Sequence, residues 1–205
     1  MEKTFLTKDN SFLFEGVGYS FSNFYPSIIV EKTELPREEK VFISTEHYFM
    51  YQKAKFFKDY EIMRKLNLPT FIQSLTEEEK TLLGDIMSSK IGLTLDKNKL
   101  FLWKNIQNKI KQLGRKVKGF DANKWNEVKE AKMKQGLYLK FTQDLNLKRS
   151  LLNTGNKYIG EAAFWDREWG LGQNIENCYK TPLNQLGKNL LGKCLMEIRE
   201  IISKE

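Results

Sequence analysis

Two stretches of this sequence set acidic residues among aromatics closely enough to do chemistry. The first is Ser44-Thr45-Glu46-His47-Tyr48-Phe49, with Lys53 two helical turns beyond Glu46. A carboxylate in the first turn of a helix is stabilised by free backbone N–H groups and by the positive end of the dipole. Glu46 is therefore either a capping charge or an acid held ionised for reaction, and its aromatic neighbours leave both readings open. The second stretch is Glu161-Ala162-Ala163-Phe164-Trp165-Asp166-Arg167-Glu168-Trp169-Gly170-Leu171-Gly172. Glycines let a ligand approach the backbone, and indoles stack on bases. The plainer alternative has Trp165 and Trp169 pinning the loop while the acids face water. The density of tryptophan, acid and glycine favours function.

Residue counts exclude much other chemistry. His47 is the sole histidine, and the two cysteines, Cys178 and Cys194, are far apart in sequence. No zinc knuckle, His-Glu-x-x-His pair, zinc deaminase cluster or disulfide framework can be built from them. Any Ser-His-Asp or Cys-His arrangement would rest on His47 alone. Carboxylates, amides, aromatics and bases must do the work.

The formal charge of +8 is concentrated. Lys97, Lys99, Lys104, Lys109, Lys111, Arg115, Lys116 and Lys118 follow one another with no acid between, and Phe101 and Trp103 interleave. Such a run attracts polyanions, although a solvated helix face would look the same. An arginine after a glycine at a helix end, as in Gly114-Arg115, suits phosphate, because its fork engages two oxygens.

These candidates need elements to hold them. At 205 residues, 40% hydrophobic and 29% charged, the chain reads as one globular domain. Residues 12–14, 19–24, 27–31 and 40–43 read as strands, the last two flanking a turn around Glu34-Leu35-Pro36-Arg37. Ser44 or Thr45 caps a helix from Glu46 to about Phe57. Asn67-Leu68-Pro69 breaks the pattern. Thr76-Glu77-Glu78-Glu79 is a capping box for a helix to about Ser89, and another runs from Lys97 to Gln112. Asp121 caps a helix towards Phe141, with Phe120 and Trp125 at the spacing of a hydrophobic staple. Residues 145–152 form a short helix closed by Thr154-Gly155. Leu186, Leu190, Leu191, Leu195, Ile198 and Ile202 mark the last helix. The expected class is α+β: mainly helical, with a small N-terminal β-sheet. No secretory signal or bilayer-spanning run is evident, so a cytoplasmic protein without a membrane partner is expected.

The order of the motifs is more specific than any one of them. Ser22-Asn23-Phe24 comes first, then the Glu46 motif with Lys53, Gly114-Arg115, Trp125 with Lys129 and Met133, and Lys140-Phe141. Leu152-Asn153-Thr154-Gly155, Glu161, Asp166 with Trp169-Gly170 and Gly172, Asn184-Gln185-Leu186-Gly187, Leu190-Leu191 and Arg199 complete it. This ordered set resembles the NADAR (YbiA-like) family, from Ser22 to Arg199. The resemblance implies one such domain over 1–205, with a longer, basic helical insertion at about 59–112. Met50 stands where a glutamine is common, and Leu171 where an acid is often found.

The resemblance further implies an N-glycosidase with an acidic catalytic pair, carried over to Glu46 and Asp166. Substrate contacts carry over to Ser22, Asn23, Phe24, Tyr48, Lys53, Gly114, Arg115, Trp125, Lys140, Glu161, Trp169, Gly170 and Asn184. No metal and no cofactor are expected. The partner implied is ADP-ribosylated nucleic acid or a nucleotide-derived small molecule, with DNA contact through 97–118. Family members hydrolyse phosphoribosylated riboflavin intermediates or remove ADP-ribose from guanine in DNA. A non-catalytic module that binds ADP-ribose or nucleic acid is the alternative of another class.

Overall fold

The computed structural model describes residues 4–32, 39–88 and 95–205. The architecture is α+β and mainly helical, and it divides into two compact units. One comprises residues 23–132. The other comprises residues 1–22 and 133–205.

The first element of the 23–132 unit is β2 (Ile29–Lys32), antiparallel to β3 (Glu39–Phe42), with Ile29 opposite Phe42 and Lys32 opposite Glu39. That pairing fits the expected hairpin; its turn, around 34–37, lies outside the described residues. α1 (Thr45–Phe56) follows, then α2 (Tyr60–Leu66), α3 (Leu68–Gln73), α4 (Glu77–Ser88) and α5 (Lys97–Arg115). Local chemistry sets several boundaries. Thr76 and Glu79 form the capping box: the Thr76 N–H donates to Glu79 Oε2 at 2.9 Å, and the Glu79 N–H to Thr76 Oγ1 at 3.3 Å. Asp59 caps α2 and also accepts the Lys118 N–H at 2.8 Å, tying the end of the basic run to α2. α1 packs on α5, α2 and β3. Gly114 allows the α1–α5 approach, since a Cβ there would collide with the Met50 side chain. α6 (Ala122–Gln143) starts in this unit and ends in the other.

In the remaining unit, β1 (Ser11–Phe14) runs parallel to β4 (Tyr158–Glu161). α7 (Leu145–Leu152) precedes β4, and α8 (Ile175–Lys180), a 3-10 turn at Leu183–Gln185 and α9 (Leu190–Ile202) follow it. Phe21 lies 5.1 Å from Phe12, 5.9 Å from Phe14 and 6.0 Å from Phe141, ring to ring. The apolar stripe of α9 is buried, and Gly192 lets that helix lie against the Ile159 carbonyl of β4.

Three sequence expectations need correction. Residues 19–24 form turns, not a strand, because Phe21 alone plugs the aromatic cluster while Tyr19 stays exposed. The strands do not form one N-terminal sheet: β1 pairs with the distant β4, and β2 with β3. The expected break at Asn67-Leu68-Pro69 is present, between α2 and α3, with the proline in the first turn of α3 where no N–H is needed. The last helix begins at Leu190, since Asn189 adopts a left-handed backbone (φ 52°) that ends the preceding turn.

Candidate active site

Glu46 is 6% exposed in the first turn of α1, and its N–H donates to the Asn23 carbonyl at 3.0 Å. Ser44 caps the helix by accepting the His47 N–H at 3.0 Å, while its hydroxyl donates to Gln107 Oε1 at 2.7 Å. Serine and threonine before a glutamate are thus read correctly as a helix start. Among the described residues, three buried polar atoms here have no hydrogen-bond partner: Asn23 Oδ1, Thr45 Oγ1 and Gln107 Nε2. Buried polar groups are ordinarily paired, so their concentration beside Glu46 is unusual.

Lys53, a half-buried residue two turns along α1, senses this carboxylate. Burial lowers its pKa, Glu46 opposes that shift, and Arg115 adds to it. The Lys53 ammonium also sits 4.1 Å from the centroid of the Phe120 ring. Glu46, Lys53 and Arg115 therefore form one electrostatic group, with Asn23 at its edge. The other implied contacts of this unit are committed within the protein. Tyr48 donates to Glu31 Oε1 at 3.1 Å, and Gln52 donates to the same oxygen at 3.0 Å. The Phe24 carbonyl accepts the Trp103 indole N–H. Trp125 is buried against Phe49, Phe56 and Phe57 at 5.2, 6.0 and 6.2 Å. Phe120 meets the same Phe57 at 5.4 Å, so Phe57 bridges the two rings expected to staple α6.

His47 is fully buried and structural. Its Nε2–H donates to the Leu66 carbonyl at 2.6 Å, and its Nδ1 accepts the Ile43 N–H at 3.4 Å. Burial depresses its pKa to about 4, which keeps the ring neutral.

In the other unit, Asp166 holds its own loop. Its Oδ1 accepts the N–H groups of Glu168 at 2.9 Å and Trp169 at 2.8 Å. The carbonyls of Glu168, Trp169 and Gly170 then accept the N–H groups of Leu190, Leu191 and Asn189, at 3.1, 3.1 and 3.2 Å. The loop thereby caps the start of α9. Gly170 passes close to the Glu161 and Asp166 carbonyls, and Gly187 is forced by the Gly170 and Arg167 carbonyls. Leu171 is buried with Leu6, Ala162, Cys178 and Leu186, which accounts for an apolar residue at that place. Trp169 is half-buried and Trp165 is 80% exposed, so only Trp169 has a packed environment. Lys140, 1% exposed, donates to the Ser22 carbonyl at 2.9 Å, and burial pulls its pKa down to about 7.

Asn184 is exposed on the 3-10 turn. The asparagine that organises this region is Asn189, which sequence reasoning missed. Its Oδ1 accepts the Glu161 N–H at 3.2 Å, and its Nδ2 donates to Tyr158 Oη at 2.9 Å and the Ile159 carbonyl at 2.8 Å. Its place just before the Leu190-Leu191 run was the available signal. Lys129, named in the motif order but not among the implied contacts, is 5% exposed, and its ammonium donates to Asn126 Oδ1 at 2.6 Å. Among the described residues, no three of His, Cys, Asp and Glu form a group that could hold a metal ion, and no helix is long and apolar enough to cross a membrane.

The fold is helix-dominated α+β, and its candidate site centres on a buried carboxylate electrostatically coupled to Lys53, with the one histidine committed to structure. Residues 86–203, more than half of the sequence, match the NADAR domain, and the chain belongs to that family. It is 46% identical over 95 residues to the N-glycosidase R617 of Acanthamoeba polyphaga mimivirus, a match spanning 46% of this chain and 56% of that protein. It is 27% identical over 184 residues to an N-glycosidase of Nostoc punctiforme, covering 89% of this chain and 87% of that one. The solution structure of Escherichia coli YbiA shares the fold, with a TM-score of 0.55 at 23% identity over 98% of this chain and 89% of that one.

Proposed function

We propose that this chain is an N-glycosidase, hydrolysing the bond between a ribose carbon and a base nitrogen. The observation that carries this reading is Glu46, a buried carboxylate beside Lys53 and among three orphaned polar atoms. The N-glycosidase names of two similar proteins support the same reaction class. Cleavage of a ribose–nitrogen bond passes through an oxocarbenium-like state, which a carboxylate beside the anomeric carbon stabilises. A carboxylate also activates the attacking water, and a hydrogen bond or proton helps the base depart. Asp166, in the other unit, is the second acid that the family resemblance implies. Lys53 and Arg115 supply cations suited to the phosphates of a nucleotide.

The substrate we favour is ADP-ribosyl-guanine in DNA, and the observation behind that choice is the basic run of α5. Incubation with ADP-ribosylated DNA, and separately with phosphoribosylated riboflavin precursors, tests it by mass spectrometry of released base and sugar. Release from modified DNA is expected. Release from the precursors alone would transfer the assignment to vitamin intermediates. Binding without release from either would mean a non-catalytic module. Neither step of the chemistry asks for a metal, so chelation should leave turnover unchanged; a loss restored by a divalent ion would recast the carboxylates as ligands.

A further inference from the structure

The side chains of α5 divide by face. At about 100° per residue, Trp103, Ile106, Gln107, Ile110 and Gly114 share one side, and these are its buried positions. Lys99 and Lys109 lie on a flank, where they pair with Asp85 at 3.5 Å and Glu79 at 2.6 Å from α4. Turned away from that side, Lys97, Phe101, Lys104, Asn108, half-buried Lys111 and Arg115 recur every three or four residues within an arc of about 80°. No acid interrupts that arc. Among the described residues, none of its four cations is paired with a carboxylate. Phe101 is 65% exposed between Lys97 and Lys104. From Lys97 to Arg115 the stripe is about 27 Å long at 1.5 Å per residue. Its far end lies against α1, where Gly114 packs on the Met50 side chain one turn beyond Glu46.

We propose that this face docks a single strand of nucleic acid, phosphates along the cations and a base on Phe101, and leads it towards Glu46. Charge complementarity selects the occupant. A nucleic acid strand supplies both anions for the lysines and π-faces for the ring. An anionic lipid surface would match the charge but calls for a broad apolar face, and this stripe offers a single ring among lysines and an asparagine. The inference rests on the N-glycosidase reading and adds to it the surface along which a nucleic acid strand is held. It is tested by binding, so an inactive protein could still support it.

The probe is a fluorescein-labelled oligo-deoxythymidine, followed by anisotropy across a salt series. Lys97→Gln with Lys104→Gln should flatten the log–log salt slope by about 1.4, at about 0.7 per lost phosphate contact. Phe101→Ala should weaken binding about 5- to 150-fold at fixed salt and leave the slope unchanged. Lys188→Gln with Lys193→Gln, exposed lysines of the other unit, should bind as the parent does. Turnover of a modified mononucleotide should be the same in all of these variants. Equal weakening by the Lys188 and Lys193 pair would overturn the proposal, as would parental binding by the α5 variants. Binding of phosphatidylserine vesicles in place of the oligonucleotide, lost in the α5 variants, would assign the stripe to a membrane and overturn it as well.

Discussion

Glu46 and Asp166 both sit at the head of a backbone turn, yet the protein employs them differently. Around Glu46, the capping is done by Ser44, and the neighbouring ring of His47 is used up by two backbone groups. The carboxylate is buried and electrostatically coupled to Lys53, while the side chain that caps its helix is that of Ser44. Around Asp166, the same carboxylate that would meet a ribose also fastens two N–H groups of its own loop. An acid relieved of capping can be neutralised with little structural consequence, whereas an acid that caps mixes structural and chemical losses in any substitution.

The largest expected effect therefore belongs to Glu46→Gln. The side chain keeps its shape, and turnover should fall about 10²- to 10⁴-fold, equivalent to about 3–5 kcal/mol of transition-state stabilisation. Its removal also takes away the charge that supports protonated Lys53, so the Lys53 pKa should fall further. Near-parental turnover in a variant with unchanged melting would end the assignment and make Glu46 a helix charge.

His47 gives the next largest effect, one of stability. The ring is neutral when folded, with a pKa depressed from 6.5 to about 4, whereas the unfolded chain takes up a proton near 6.5. Its contribution is fully present above pH 6.5 and is lost as pH falls from 6.5 to 4, by roughly 3 kcal/mol. As the sole histidine, it gives one imidazole resonance to follow. A resonance that titrates between pH 6 and 7 would contradict the buried, neutral ring and reopen His47 as an acid–base group.

Gly187 tests the loop side of the comparison. A methyl group there would strike the Gly170 and Arg167 carbonyls, which also receive the N–H groups of Asn189 and Lys188 at 3.2 and 2.7 Å. Gly187→Ala should cost about 1–3 kcal/mol, the usual range for overpacking. In a chain of this size that lowers Tm by several degrees. Unchanged Tm would mean the loop is not held as tightly as its hydrogen bonds indicate.

What the sequence revealed divides along the same line. Helices with a local signature were legible: Thr76 and Glu79 announce α4, Asp121 announces α6, and the leucine spacing announces α9. Long-range partners were not. Phe21 reads as a strand residue because aromatics favour strands, yet it is a plug whose partner Phe141 lies far along the chain. β4 holds only Tyr158–Glu161 with a glycine inside, and it becomes a strand through pairing with β1. The site follows suit. Glu46 was visible from its own helix start, whereas the role of Asn189 depends on a left-handed backbone and on bonds to Tyr158, Ile159 and Glu161.

The smallest effect separates the two functions of Asp166. Asp166→Asn retains an oxygen that can accept the Glu168 and Trp169 N–H groups, so the loop should keep its shape and Tm should barely move. Asp166→Ala removes the acceptor and should cost about 1 kcal/mol, the scale of a lost side-chain cap. If the acid is also chemical, both variants should lose turnover by a similar factor, because both lose the charge. The pair of measurements thus isolates chemistry in the asparagine variant and adds structure in the alanine variant. An asparagine variant with parental turnover, beside an alanine variant impaired in both Tm and turnover, would assign Asp166 to loop architecture alone and leave Glu46 as the sole acid of the proposal.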